Sequence, residues 1–158
     1  MLLLLSLPFI SCSKDTLPKI EVKPLEGKKV YLSDYKGKKV LLYVWSRTCA
    51  GHSKDLGKLN QITEERKDYT INSYAIAMER EDVIKSYKDI GIEPKFITLI
   101  DTEVRFNDHF PITFLPSTYL FDEKGKLIKS YPGLYVPLIY STVTVFAKFL
   151  GWSTSRPR

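Results

Sequence analysis

The sequence has few thiols, and none lies close to another. Its 158 residues include two cysteines, Cys12 and Cys49, and two histidines, His52 and His109. Three residues after Cys49, where many redox proteins place a second cysteine, the chain has His52. A nearby dithiol pair is therefore excluded. The sequence also lacks internal repeats and low-complexity segments, and its 44% hydrophobic and 27% charged content is ordinary for one globular domain with a core.

Two further absences concern charge and long apolar runs. The net charge is +6, but no Arg/Gly tract or basic run interleaved with aromatics is present, so we expect no nucleic-acid partner. The basic excess is interpreted as a solvated edge, and an anionic membrane surface fits its early placement better. The early lysines are Lys14, Lys19, Lys23, Lys28, Lys29, Lys36, Lys38 and Lys39.

The N-terminus, "MLLLLSLPFISC", has about ten apolar residues, which is too few to span a bilayer but suits the apolar core of a secretory signal. Its end, "FISC", resembles a bacterial lipobox, which implies lipidation of Cys12 and export to the periplasm or cell envelope. Phe9 stands where Leu is usual and no basic residue precedes the run, so a chance apolar N-terminus is the alternative. The predicted segments are 1–12 signal or lipoprotein segment, 13–27 tether and edge strand, 28–152 domain, and 153–158 tail.

Periodicity and turn residues predict the order of elements. The expected strands are "KVYLSD", "VLLYVW", "TINSYAIAM", "KFITLI", and the hairpin "STYLFD" and "LIKSYPG" with Gly125 in its turn. The expected helices run from Ala50–Ser53 to about Arg66, over "REDVIKSYKDIG" with Val83, Ile84 and Tyr87 inward, and over "PLIYSTVTVFAKFL" between Pro137 and Gly151. The segment "TEVRFNDHF" is expected to be a short helix or a loop. Such an order predicts an α/β protein with a mixed central sheet flanked by helices in three layers, and a site at the carboxyl end of a central strand.

Two motifs resemble the thioredoxin-like proteins of the TlpA and ResA type, which are extracytoplasmic, membrane-tethered thiol–disulfide proteins. "VYLSDYKGKKVLLYVWSRTC" is similar to the family's opening, with Cys49 in the place of the attacking cysteine. "FPITFLPSTYLFDEKGKLI" is similar to its second motif, which implies a cis bond at Leu115–Pro116 facing the active site. The resemblance covers about Val30 to Leu150 and implies the thioredoxin-like fold.

The departures from this pattern affect the redox cycle. His52 replaces the second cysteine, giving "CAGH", and Tyr43 stands where thioredoxins carry a buried proton-moving Asp. A Cys12–Cys49 disulfide is an alternative, but the lipobox interpretation competes for the Cys12 sulfur.

Cys49 alone could still do thiol chemistry. A helix N-terminus and His52 are expected to lower its pKa and favour the thiolate, which can form mixed disulfides but needs an outside thiol to release them. Cys49, His52 and Pro116 are therefore the predicted site, without a cofactor. The expected partners are exported thiol- or disulfide-containing proteins, as in cytochrome c maturation. The alternative is an inert Cys49 in a non-catalytic binding module.

Metal binding is the other chemical alternative. Cys49 and His52 are spaced as two ligands for copper or zinc, and His109 could add a third, which would make the protein a metal carrier. A peroxidase is disfavoured because Ser46 stands where peroxiredoxin-like sites want Thr.

Overall fold

The computed structural model describes residues 15–136. The strands in this range are β1 Glu21–Pro24, β2 Val30–Tyr31, β3 Lys39–Trp45, β4 Tyr69–Ile76, β5 Ile97–Asp101, β6 Ser117–Phe121 and β7 Leu127–Pro132. The helices are α1 His52–Glu65 and α2 Arg80–Ile90, with 3₁₀ helices at Leu32–Tyr35 and Arg105–Asp108. The predicted segment 1–12 with Cys12, the predicted helix from Pro137 and the predicted tail 153–158 lie outside these residues. In the part of the chain described, no helix has the length and apolar character to cross a bilayer.

The strands form one mixed sheet in the order β2-β1-β5-β4-β3-β6-β7. Strands β3, β4 and β5 are parallel, and β1, β2, β6 and β7 pair antiparallel. The α/β fold with a mixed sheet is thus confirmed. β3 lies near the middle, and its side chains alternate between the two core clusters: Val40, Leu42 and Val44 face one, and Leu41, Tyr43 and Trp45 face the other. This alternation makes three layers, because α1 and α2 cover one face and the N-terminal segment and 3₁₀ helices cover the other.

Three predictions of local structure need correction. "KVYLSD" is only a two-residue strand, because the chain turns into a 3₁₀ helix at Leu32, where Asp34 accepts a hydrogen bond from the Tyr31 amide at 3.0 Å. β1 is not an edge strand, since it lies between β2 and β5. Ile84 does not point inward but is 39% exposed, because α2 packs through Val83 and Tyr87.

The described part of the predicted tether packs on the domain. Leu17 and Ile20 are buried in the core, and Thr16 forms a β-bridge with Lys126. The apolar side chains leave water by covering the sheet face opposite α1. Residues 15–24 therefore belong to the folded domain and not to a flexible linker.

Candidate functional site

Cys49 lies in a turn between β3 and α1. Its amide donates to the Ser46 carbonyl at 3.0 Å, and Gly51 then starts α1 as its N-cap residue with a φ of 84°, a conformation that favours glycine. α1 begins at His52. Cys49 thus precedes the N-cap and is not within the first helical turn as predicted.

The Cys49 sulfur is shielded. The side chain is a free thiol, and the residue is 8% exposed. Burial raises the pKa of the Cys49 thiol, and a hydrogen bond from the Ser46 amide to Sγ at 3.2 Å opposes this only in part. The prediction of a lowered pKa is therefore wrong, because the sulfur is desolvated and lies outside the helix terminus.

His52 contacts the backbone of Cys49. Its Nδ1 lies 2.7 Å from the Cys49 carbonyl oxygen, so Nδ1 carries the proton and donates it. The imidazole also stacks on Trp45, with ring centroids 5.3 Å apart and planes 14° apart. His52 fixes the turn that carries the thiol, which differs from the predicted charge or hydrogen bond at the sulfur.

The indole under His52 is itself held in place. Trp45 Nε1 donates to Ser73 Oγ at 2.7 Å, and this hydroxyl lies 2.9 Å from the Tyr87 hydroxyl, which lies 2.9 Å from Thr98 Oγ1. All four side chains are buried, and burial raises the pKa of Tyr87 to about 12. A satisfied buried network restricts side-chain rotation, so the surface on which His52 stacks is rigid.

Sequence reasoning missed Asp55 as a neighbour of the site. The Tyr43 hydroxyl donates to Asp55 Oδ2 at 2.9 Å, and burial together with the Asp55 charge raises the Tyr43 pKa. The charge of Cys49 also contributes to this shift, which shows that the thiol and the phenol are close. The available signal was spacing, because Asp55 lies one turn after His52 on α1.

A second missed contact joins the Cys49 turn to another helix. Arg47 Nη1 donates to Asp82 Oδ1 at 2.6 Å, and Asp82 lies in the first turn of α2. The pair is partly exposed on both sides. Since 35 residues separate the partners, no local pattern signals this pair.

The Leu115–Pro116 bond is cis, as predicted. Ser117 pairs with Val44 in the sheet register, so Pro116 lies beside the end of β3 from which the Cys49 turn leaves. The loop before it is apolar and accessible, with Phe114 66% and Leu115 38% exposed. Cys49, His52 and Pro116 therefore occupy the same end of the sheet.

His109 does not join these residues. It is exposed, and the neighbouring Phe106 and Phe110 pack on the sheet face opposite α1. Among residues 15–136, no group of three or more His, Cys, Asp or Glu side chains could hold a metal ion. The suggested three-ligand site of Cys49, His52 and His109 is therefore not assembled, because its third member belongs to the other layer.

Comparison with known proteins agrees with this geometry. The sequence model of the AhpC/TSA family matches residues 14–130. The chain belongs to the AhpC/TSA family. Like this family member, the thiol-disulfide oxidoreductase ResA of a Bacillus cereus strain contains the matched region. The two are 30% identical over 117 residues, which cover 73% of this chain and 67% of ResA.

Solved structures extend the comparison of this AhpC/TSA family member to the fold. The exposed lipoprotein thioredoxin Etrx1 of Streptococcus pneumoniae strain TIGR4 has a TM-score of 0.63 and 25% identity, covering 84% of this chain and 98% of that one. The thioredoxin domain of a thiol-disulfide oxidoreductase from Bacteroides vulgatus has a TM-score of 0.65 and 24% identity, covering 84% and 96%. The thioredoxin-like fold and the resemblance to ResA-type proteins are thereby confirmed.

Proposed function

We propose that this protein carries out thiol–disulfide exchange through Cys49 alone and holds its partners as mixed disulfides. The observation that carries this proposal is the pairing of a free thiol with a histidine at the position of the second cysteine. Cys49 is free, it lies at the end of β3 near Pro116, and His52 binds its carbonyl. An imidazole cannot form a disulfide, so the second step of a dithiol cycle is blocked.

The exchange step balances without a cofactor. The Cys49 thiol loses its proton to a solvent base, and the thiolate attacks one sulfur of a partner disulfide. A bond forms between Cys49 Sγ and that sulfur, the partner's S–S bond breaks, and the other partner sulfur leaves as a thiolate and is protonated. The partner disulfide is the oxidant, and an external thiol must later reduce the mixed disulfide.

The raised pKa makes both directions slow. Little of Cys49 is thiolate at neutral pH, so attack on a disulfide is infrequent. In the reverse step Cys49 is the leaving group, and thiols of high pKa leave slowly. We infer that a mixed disulfide at Cys49, once formed, persists, which suits trapping or protecting a partner's cysteine more than rapid turnover.

Adduct formation with oxidised glutathione tests this function. In the full chain carrying Cys12→Ser, intact mass should show one glutathione bound at Cys49, removed by a reducing thiol. Cys49→Ser should show none. His52→Cys should expel the glutathione and form an internal disulfide with Cys49, because the added thiol can attack the mixed disulfide.

The urea-unfolded protein is the control for reagent strength. If it is modified while the folded protein with Cys49 never is, even on prolonged incubation, single-thiol exchange is contradicted. The shielding of Cys49, which is only 8% exposed, favours one other function, a non-catalytic binding module. Complexes of such a module would persist in Cys49→Ser and in reducing buffer, whereas mixed disulfides would not.

Export and attachment form the second part of the proposal. We propose that Cys12 is lipidated after cleavage of residues 1–11, so that the domain is anchored outside the cytoplasm, where it meets exported cysteine-containing proteins such as cytochromes c. The lipobox-like "FISC" supports this, as does the similarity to a protein described as an exposed lipoprotein thioredoxin. Intact mass of the protein from bacterial membranes should show a lipidated Cys12 as first residue. A soluble chain retaining residues 1–11 would contradict attachment.

A further inference from the structure

The end of the sheet opposite the Cys49 turn carries four exposed lysines. Lys36 and Lys38 precede β3, and Lys124 and Lys126 belong to the turn between β6 and β7. We call Lys36, Lys38, Lys124 and Lys126 the basic end. We propose that the basic end is a docking surface for the headgroups of anionic phospholipids and orients the domain on the membrane with Cys49 facing away.

The two lysine-bearing loops form one rigid surface. The Gly37 amide donates to the Glu123 carbonyl at 2.8 Å, which joins the loops directly. The Lys36 stem lies across Gly125, so closely that a Cβ at Gly125 would come within 2.8 Å of Lys36 Cγ. The four ammonium groups therefore extend from a fixed framework and not from independent loops.

The charges of the basic end are largely unopposed. Among residues 15–136, none of its four lysines has a carboxylate within ion-pair distance, whereas Lys29, Lys85 and Lys95 elsewhere each do. Glu123 is the acidic neighbour, and it lies 4.0 Å from Lys39. The Asp122 carboxylate accepts hydrogen bonds from the amides of Lys124 and Lys126. Unpaired ammonium groups on one surface attract anionic headgroups.

The chain enters the domain at this same end. The Leu17 amide donates to the Gly125 carbonyl and the Leu127 amide to the Asp15 carbonyl, both at 2.7 Å. Asp15 lies three residues after Cys12, a span of about 10 Å when extended. An anchor at Cys12 would hold the basic end within roughly one screening length of the membrane, about 8 Å at physiological salt. This proximity argues for lipid as the occupant, and the orientation rests on the attachment proposed above.

The docked orientation would present the thiol to partners. β3 runs from Lys39, beside the basic end, to Trp45, beside the Cys49 turn. Its seven residues span about 20 Å. With the basic end on headgroups, Cys49 and Pro116 would face the space in which exported partners move.

Vesicle binding tests the proposal without lipidation. The full chain carrying Cys12→Ser is partitioned onto vesicles of phosphatidylcholine alone and of phosphatidylcholine with phosphatidylglycerol. The ratio of the two partition coefficients cancels any neutral contribution of residues 1–11. Each lysine near an anionic surface contributes roughly fivefold. Replacing all four lysines of the basic end by Gln should therefore lower the ratio more than about tenfold.

A matched variant replaces four exposed lysines on the helices by Gln, at Lys54, Lys58, Lys85 and Lys88, with the same loss of net charge. It should retain the ratio of the parent. The parent's ratio should also fall between about 0.1 M and about 1 M salt, as screening shortens from about 10 to about 3 Å. A smaller decrease in the basic-end variant, an equal decrease in the matched variant, or no preference of the parent for anionic vesicles would overturn the proposal. Attachment at Cys12 is judged separately, by mass.

Discussion

Two turns at the same end of the sheet are built differently. β5 ends at Asp101, whose carboxylate is 3% exposed and accepts hydrogen bonds from the Tyr74 hydroxyl and the amides of Arg105 and Phe106, at 3.0, 3.0 and 2.9 Å. β3 ends before the Cys49 turn, whose buried sulfur accepts one hydrogen bond, from the Ser46 amide. The Asp101 turn is closed by a fully hydrogen-bonded charge, and the Cys49 turn by a soft thiol.

The difference separates stability from chemistry. Removing a buried acceptor leaves its donors unpaired and costs free energy, whereas a buried thiol behaves mainly as a small apolar group. The Asp101 turn thus stabilises the fold at the cost of being unavailable. The Cys49 turn keeps its sulfur uncommitted and is attached to α2 by the partly exposed pair of Arg47 and Asp82.

Substitution at Asp101 should have the largest effect on stability. Asp101→Ala leaves the Tyr74 hydroxyl and two backbone amides without their acceptor, so the free energy of unfolding should fall by roughly 3 kcal/mol. Cys49→Ala should cost about 1 kcal/mol or less, since it removes a single small group. Urea unfolding of both variants measures the difference. Equal losses would show that the two turns contribute alike and would break the comparison.

Much of the fold was predictable because it depends on local patterns. The apolar run "VLLYVW" became β3, Gly125 took the positive φ of a hairpin turn, and Asp101 closed β5 as a turn residue. "KVYLSD" was wrong because its alternation concealed the Asp34 side chain, which satisfies a 3₁₀ turn. Ile84 was wrong because one helix face was drawn too wide.

The site was predictable in position but not in electrostatics. The two motifs located Cys49, His52 and the cis bond before Pro116, since these are features of chain order. The direction of the Cys49 pKa shift depends on burial by residues far apart in sequence, and so does the Arg47–Asp82 pair. His109 was misjudged because sequence proximity to Pro116 does not say on which face of the sheet a side chain lies.

The pH dependence of Cys49 alkylation should show the next largest effect. The raised pKa means that folding favours the protonated thiol, so the reactive thiolate appears only at higher pH than in the unfolded chain. In full-length Cys12→Ser, the iodoacetamide rate at neutral pH should be roughly tenfold lower folded than unfolded in urea, with a more alkaline midpoint. By linkage, the stability that the Cys49 thiol contributes is present below its unfolded pKa and is lost as the pH rises through its folded pKa. A folded midpoint below the unfolded one would restore the activated thiol.

The smallest effect concerns the Arg47–Asp82 pair, which holds the Cys49 turn against α2. Partly exposed ion pairs contribute about 0.2–1 kcal/mol, so Arg47→Ala should open the turn slightly and raise the alkylation rate about two- to fivefold. Asp82→Ala should match it, and the double variant should add nothing, because either change already breaks the pair. Lys85→Ala breaks a comparable pair with Asp89 on the same helix and should leave the rate unchanged. If Arg47→Ala and Lys85→Ala have the same effect, the turn is held by its own hydrogen bonds from Cys49 to Ser46 and from His52 to Cys49, and its attachment to α2 has no part in shielding the thiol.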